Sequence, residues 1–188
     1  MCLIIAFSPV PSSVLQASLL LREFPGADLV YGHSKEETDR ILRFKNSSTG
    51  AGEIRDVTGI FPEEAPHLLK RLFCGKRHRF SKADVSPGKY IDFVLRHKST
   101  VPAGFVRFLA ECNDPDSLYN RKSGKGKMYY TYMREVMRSY QSLCMFARPE
   151  VLENIIVAEI NPQHSVADLF CRWLGRRNPD YPVVVIRG

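Results

Sequence analysis

The last stretch of the chain, VLENIIVAEINPQHSVADLFCRWLGRRNPDYPVVVIRG (residues 151–188), places one helical repeat between two apolar runs. NIIVAEI (154–160) reads as a strand, and Asn161-Pro162 turns the chain. Val166, Leu169, Phe170 and Trp173 then fall at i, i+3, i+4 and i+7, the spacing of one buried helix face. Gly175 and Pro179 end that helix, and Tyr181-Pro182 leads into the strand VVVI. Two strands joined through a helix lie parallel with a right-handed crossover, which points to the α/β class.

The other end of the chain reads the same way. CLIIAF (2–7) is a continuous apolar run, as expected of a strand covered on both faces. Pro11 opens a helix that Pro25-Gly26 stops, and DLVYGH (28–33) is a second strand. Ser34 caps SKEETDRILRF, with Glu37 three residues later as its capping-box partner. The middle is helical, with entries at Pro62, Pro87 and Pro102 and a short turn or helix from Asp114-Pro115. A long helix over about 127–147 buries Tyr129, Met133, Val136, Tyr140 and Leu143. The expectation is a single α/β domain over 1–188. One mixed or mostly parallel sheet is fed by the N-terminal and C-terminal β-α-β units, with a helical insertion at about 62–147.

A chain that is 44% hydrophobic and 25% charged is an ordinary soluble globular protein. Its formal net charge of +7 favours anionic partners: nucleic acid, an anionic membrane or acidic proteins. The five cysteines are dispersed, without a CxxC pair, and their number is odd. That argues against a disulfide framework or zinc ribbon and for a reduced, cytoplasmic setting. MCLIIAFSPVPSS is too short an apolar run for a signal peptide or a membrane span, so no membrane association is expected. Cys2 invites comparison with N-terminal cysteine nucleophiles, but packing is the simpler reading, and no cofactor is expected.

The basic residues are grouped. KRLFCGKRHRFSK (70–82) holds six Lys and Arg without an acid, and Arg121, Lys122, Lys125 and Lys127 follow. Arg134 and Arg138 come four apart on one helical face. Such groups neutralise phosphates and release counterions, and interleaved aromatics can stack on bases. Arg77, Arg79, Lys125, Lys127, Arg134 and Arg138 are the expected phosphate contacts, with Tyr129 or Tyr130 as a stacking residue. The bland alternative is a solvated charge at each position and core aromatics. NSSTGAGE (46–53) is a polar loop that could approach an anion, yet it lacks the Gly-Lys-Ser/Thr ending of a P-loop.

Cys74 and His78 have the spacing of a zinc pair, but no second pair accompanies them, so no metal site is expected. His164 follows a strand and turn and precedes a helix, a place suited to acid–base or phosphate chemistry, or simply to capping. Glu135 and Glu159 each lie among apolar residues, where a carboxyl can serve as general acid or base. An enzyme acting on a nucleotide or nucleic acid therefore needs His164 and Glu135 or Glu159 in one cleft. A protein-interaction subunit with a basic face is the third possibility.

Residues of about 130–186 carry one further pattern: a helix with Glu135 and Arg138, then MFARPEV, VAEINPQHSVADLF and RRNPDYPVVVI. In these the chain resembles the C-terminal part of an uncharacterised prokaryotic family of probable DNA-metabolism proteins. The NPQH turn with Pro162 and His164 is the most specific match. Members of that family occur alone or joined to uracil-DNA-glycosylase-like domains, often beside a radical-SAM partner. They commonly have a His where this chain has Met137-Arg138, and Arg-Phe where it has Met145-Phe146. The resemblance implies a nucleic-acid-binding accessory role in DNA repair or DNA metabolism, with DNA favoured over RNA. It also implies a DNA-repair or radical-SAM partner protein, and it supplies no reaction.

Overall fold

The computed structural model describes residues 3–49, 53–60, 62–75, 85–122 and 124–188, with backbone only for 46–49. The class is α/β: seven α-helices and two three-stranded sheets among those residues. The first sheet has β1 (Leu3–Phe7) at its centre, flanked by β2 (Asp28–Tyr31) and β3 (Glu53–Asp56), all parallel. The second has β5 (Ile155–Ile160) at its centre, antiparallel to β4 (Glu150–Leu152) and parallel to β6 (Val183–Arg187). The expectation of one sheet fed by both ends is thus corrected to one sheet for each end. Each terminal unit completes its own ladder with a short strand that its sequence hides. In β3 this is EIRD, exposed along its whole length; in β4 it is EVL.

β1 is apolar throughout because both its faces are covered. Ile5 and Phe7 enter the main core with Val14, Leu15 and Leu21 of α1 (Pro11–Glu23). Ile4 and Ala6 face the other way, toward Val30 of β2 and Leu42 of α2 (Lys35–Thr49). Helix α1 buries three serines, and each hydroxyl donates to a backbone carbonyl: Ser12 to Ile60, Ser13 to Val57 and Ser18 to Val14. These bonds remove the desolvation cost of the hydroxyls, and two of them tie the helix to the segment after β3.

The turn into α2 explains Gly32. A Cβ there would stand 2.6 Å from Thr38 Oγ1 and 2.7 Å from its amide nitrogen. Ser34 Oγ accepts from the Glu37 amide at 3.1 Å, and the Glu37 carboxylate reaches back to the His33 amide at 2.8 Å. This is the reciprocal capping expected, closed one residue further back. Helix α2 continues to Thr49, so the first half of the supposed polar loop is helical.

Proline opens the middle helices. Pro62 begins a 3-10 turn (Pro62–Glu64) before α3 (Ala65–Leu72). Pro87 and Pro102 begin α4 (Pro87–Leu95) and α5 (Pro102–Glu111), and Pro115 begins a second 3-10 turn (Pro115–Tyr119) capped by Asp114. A proline at this position loses no hydrogen bond and presets φ for the helix. Arg22 of α1 donates to the carbonyls of Leu72, Leu109, Ala110 and Cys112. One guanidinium therefore satisfies the open carbonyl ends of both α3 and α5.

The long helix α6 (Gly124–Phe146) buries Tyr129, Met133 and Val136, and Leu143 packs against both the main core and the core under the second sheet. Helix α7 (Ala167–Arg177) connects β5 to β6 and buries Phe170 and Leu174. Leu169 and Trp173 of the expected buried face lie only part-buried at its edge. No helix among the described residues is long and apolar enough to cross a membrane.

Candidate functional site

Helix α4 ends beside the first turn of α7, and Arg96 joins them. Its Nε donates to Asp92 Oδ1 at 3.0 Å, Nη1 to Asp168 Oδ1 at 2.5 Å, and Nη2 to Asp168 Oδ2 at 3.0 Å. Nη1 also reaches the Ser165 carbonyl at 2.8 Å, and the Ser165 amide donates to the Arg96 carbonyl at 3.1 Å. The NPQHS turn is thereby fastened to the end of α4. Burial works to raise the Asp168 carboxyl, but Arg96, with Arg172, holds it below the usual carboxylate range.

That fastening brings two imidazoles together. His97 follows Arg96, His164 precedes Ser165, and their ring centroids are 4.4 Å apart. Tyr132 of α6 lies parallel to His97 at 3.9 Å. Glu135, one turn further along α6, meets His97 Nε2 with Oε2 at 2.8 Å. The Ser99 amide donates to His97 Nδ1 at 3.2 Å, so the ring proton resides on Nε2 and is donated to Glu135. The Lys98 amide makes a longer approach, 3.5 Å, to His164 Nδ1. Burial, then the neighbouring His97, lowers the His164 pKa against the pull of Glu135, and His164 is neutral at neutral pH. The His97 side chain is 3% exposed and that of Glu135 46%, so Glu135 is the member that solvent and ligands reach.

The donor atoms of His97, Glu135 and His164 all lie within 4.8 Å of one another, the only such trio among the described residues. Metal-bound histidines donate their second N–H outward, to a carbonyl or carboxylate. Here both Nδ1 atoms face backbone N–H groups instead. That polarity suits a proton shared by His97 and Glu135, and it does not suit a cation held through Nε2.

Glu135 also lines a groove of about 600 Å³ with Arg121, Lys127, Tyr130, Thr131, Arg134 and Arg138. The Arg121 guanidinium lies 4.4 Å from the Tyr130 ring centroid, a cation–π contact. Arg121, Lys127, Arg134 and Arg138 form no ion pair with another described residue. Four cations and one aromatic ring thus border a single carboxylate.

The other expected site residues are distributed differently. Lys125 pairs with Glu111 at 2.9 Å and lines a separate pocket with Phe108 and Asn120. Tyr129 is 4% exposed, packed on Phe105 and Phe108 at 4.8 and 4.9 Å, which removes it as a stacking residue. Glu159 is exposed in β5, in register with Ile186, and has no part in the histidine cluster. Arg77 and Arg79 lie outside the described residues, as do Cys2 and His78. His97 was missed. Its partners come from α6 and the NPQHS turn, and nothing in the local sequence RHKST announces them.

In comparison with known proteins, no family model and no curated protein matches the chain.

Proposed function

We propose that this protein binds nucleic acid along the exposed face of α6, as an accessory factor in DNA repair or DNA metabolism. The observation that carries the reading is the groove in which Arg121, Lys127, Arg134 and Arg138 lie together beside Tyr130. Cations without acidic partners are free to neutralise phosphates, and Tyr130, part-buried with the Arg121 guanidinium over its ring, is the aromatic beside them. The resemblance of residues 130–186 supports DNA as the nucleic acid. Binding of the purified protein to labelled single- and double-stranded DNA and RNA over a salt series tests it. A steep fall in affinity with salt is expected, and no binding at low salt would remove the reading.

A second reading, an enzyme acting on the bound nucleic acid, is favoured by the convergence of Glu135, His97 and His164 beside that groove. Glu135 would take a proton from water or a hydroxyl near a phosphate held by Arg134 and Arg138. His97, through its Nε2–H, would fix the orientation of the carboxylate. Incubation of bound oligonucleotide with wild type and Glu135→Gln tests this. Product formed by the wild type and lost in a variant that still binds supports an enzyme; the absence of any product leaves the binding role alone.

A further inference from the structure

The two sheets are covered unequally. In the first, β1 sends side chains into cores on both of its faces, and Ile4 to Phe7 are all buried. In the second, α7 covers one face: Ile156, Ala158 and Ile160 of β5 pack with Phe170 and Leu174, joined by Val183 and Val185 of β6. Strand register fixes what stands on the other face. Glu150 and Leu152 of β4 lie opposite Val157 and Ile155 of β5, while Val184 and Ile186 of β6 lie opposite Val157 and Glu159. Leu152, Ile155, Val184 and Ile186 are between 40 and 54% exposed, and Val157 between them is part-buried. A sheet face that only meets water carries polar residues, whereas a contiguous open apolar patch marks an interaction site.

The shape of this face selects the kind of occupant. Three strands about 4.8 Å apart, the central one of six residues at about 3.3 Å each, make a face about 10 Å wide and about 17 Å long. One helix, about 10 Å across, covers that footprint in about three turns, as α7 covers the opposite face. The charges select its chemistry. In a chain of net charge +7, both charged residues of this face are acidic. Glu150 and Glu159 are exposed, and neither forms an ion pair with another described residue. Arg187 of β6 is in register with Ile160 and belongs to the α7 side.

These carboxylates disfavour a second copy of the chain. In a face-to-face pair centred on Val157, the two-fold axis runs along the strands or across them. Along them, Glu159 of each copy meets Glu159 of the other; across them, Glu150 meets Glu150. Either arrangement brings like charges together out of water. A helix that carries cations has the opposite effect.

We infer that the open face of the second sheet is a docking site for an amphipathic helix of a partner protein, with an aliphatic stripe flanked by Lys or Arg. The stripe lies across Leu152, Ile155, Val157, Val184 and Ile186, and the cations pair with Glu150 and Glu159. This is recognition by anchors at i, i+3, i+4 and i+7, with a sheet in place of the usual groove. The surface is separate from the α6 groove and does not depend on the function proposed for it.

The experiment titrates the intact chain into a fluorescently labelled helical peptide of about 18 residues, with Leu on one stripe and Lys elsewhere, read by anisotropy. Saturable binding is expected, and the same peptide with Ser for each Leu should bind at least about tenfold more weakly. Glu150→Gln with Glu159→Gln should weaken the Leu–Lys peptide by about fivefold, the effect of two part-exposed ion pairs. Val184→Ser with Ile186→Ser should weaken it by about tenfold or more, and both side chains are half-exposed on an edge strand, so the variant keeps the core under α7. Arg134→Ala with Arg138→Ala should leave it unchanged. The inference is overturned if the Leu–Lys peptide does not bind saturably, or if it binds either sheet variant as it binds the wild type. It is also overturned if light scattering shows a wild-type dimer that Val184→Ser with Ile186→Ser makes monomeric, since a second copy then covers the face.

Discussion

Arg96 and Asp168 form a two-pronged ion pair, with Nη1–Oδ1 at 2.5 Å and Nη2–Oδ2 at 3.0 Å, that ties the end of α4 to the first turn of α7. His97 adjoins one side of this clamp, and His164 lies just before the Ser165 backbone that it holds. The clamp is thus a positioning device: it acts on the cluster through the chain on either side of it. Asp168 also sits where a negative charge is favoured by the helix dipole of α7.

Asp168→Asn keeps the shape of the side chain and removes the charge. The expected loss is about 1–2 kcal/mol of stability, the range of a charge-assisted hydrogen bond at a part-exposed site. Chemical denaturation measures it. The histidine ring resonances of His97 and His164 should shift together, because the turn that carries His164 is released from α4.

Acid should destabilise the protein in two stages. The folded-state pKa of His164 is lowered, so its contribution is complete above the ordinary histidine value and is lost as pH falls through the folded value. Asp168 is likewise lowered, and its contribution is lost at lower pH, below the usual carboxylate range. Melting temperature measured against pH should fall first near and below pH ~6.5, where an unperturbed histidine gains its proton. His164→Asn should flatten that first stage and leave the second.

Arg22 serves the carbonyl ends of α3 and α5 together, and no other described side chain reaches those four carbonyls. Arg22→Ala leaves several of them part-buried and unpaired. A loss of about 3 kcal/mol is expected, from a cost of roughly 1–3 kcal/mol for an unsatisfied group. Equilibrium unfolding in urea checks the value.

Tyr90 is fully buried, and its hydroxyl has no hydrogen-bond partner among the described residues. Burial pushes its pKa well above the ordinary tyrosine value. Tyr90→Phe removes a polar atom that the core does not satisfy and keeps the edge-to-face contact of the ring with Tyr119. The variant should be more stable by about 1 kcal/mol, a rise of about 3 °C in Tm for a chain of this size.

The elements that local chemistry defines were legible in the sequence. Prolines at 11, 87, 102 and 115 each open a helical segment where expected, and the strand–helix–strand at the C-terminus forms with β5 and β6 parallel. The partition into two sheets was not legible, because strand pairing is non-local and β3 is a four-residue polar strand without alternation. Tyr129 and Tyr130 are neighbours in sequence, but about 100° apart around α6. One enters the core and the other lines the groove, a difference set by the packing of α5 and invisible in the segment itself. Glu135 and His164 could be singled out by their surroundings. His97, which joins them, could not, since its role depends on where α6 and the NPQHS turn meet α4.

Nucleic-acid binding along the exposed face of α6, as proposed, would make affinity depend on salt and on the α6 cations. The most direct test is the salt dependence of single-stranded DNA binding by wild type and by Arg134→Ala with Arg138→Ala. A steep negative slope of log affinity against log salt is expected for the wild type. In the variant, weaker binding to all sequences alike is expected, with a slope smaller by roughly 1–2, the loss of up to two phosphate contacts. Equal affinity and equal slope in the two proteins, or no binding by the wild type at low salt, would contradict it.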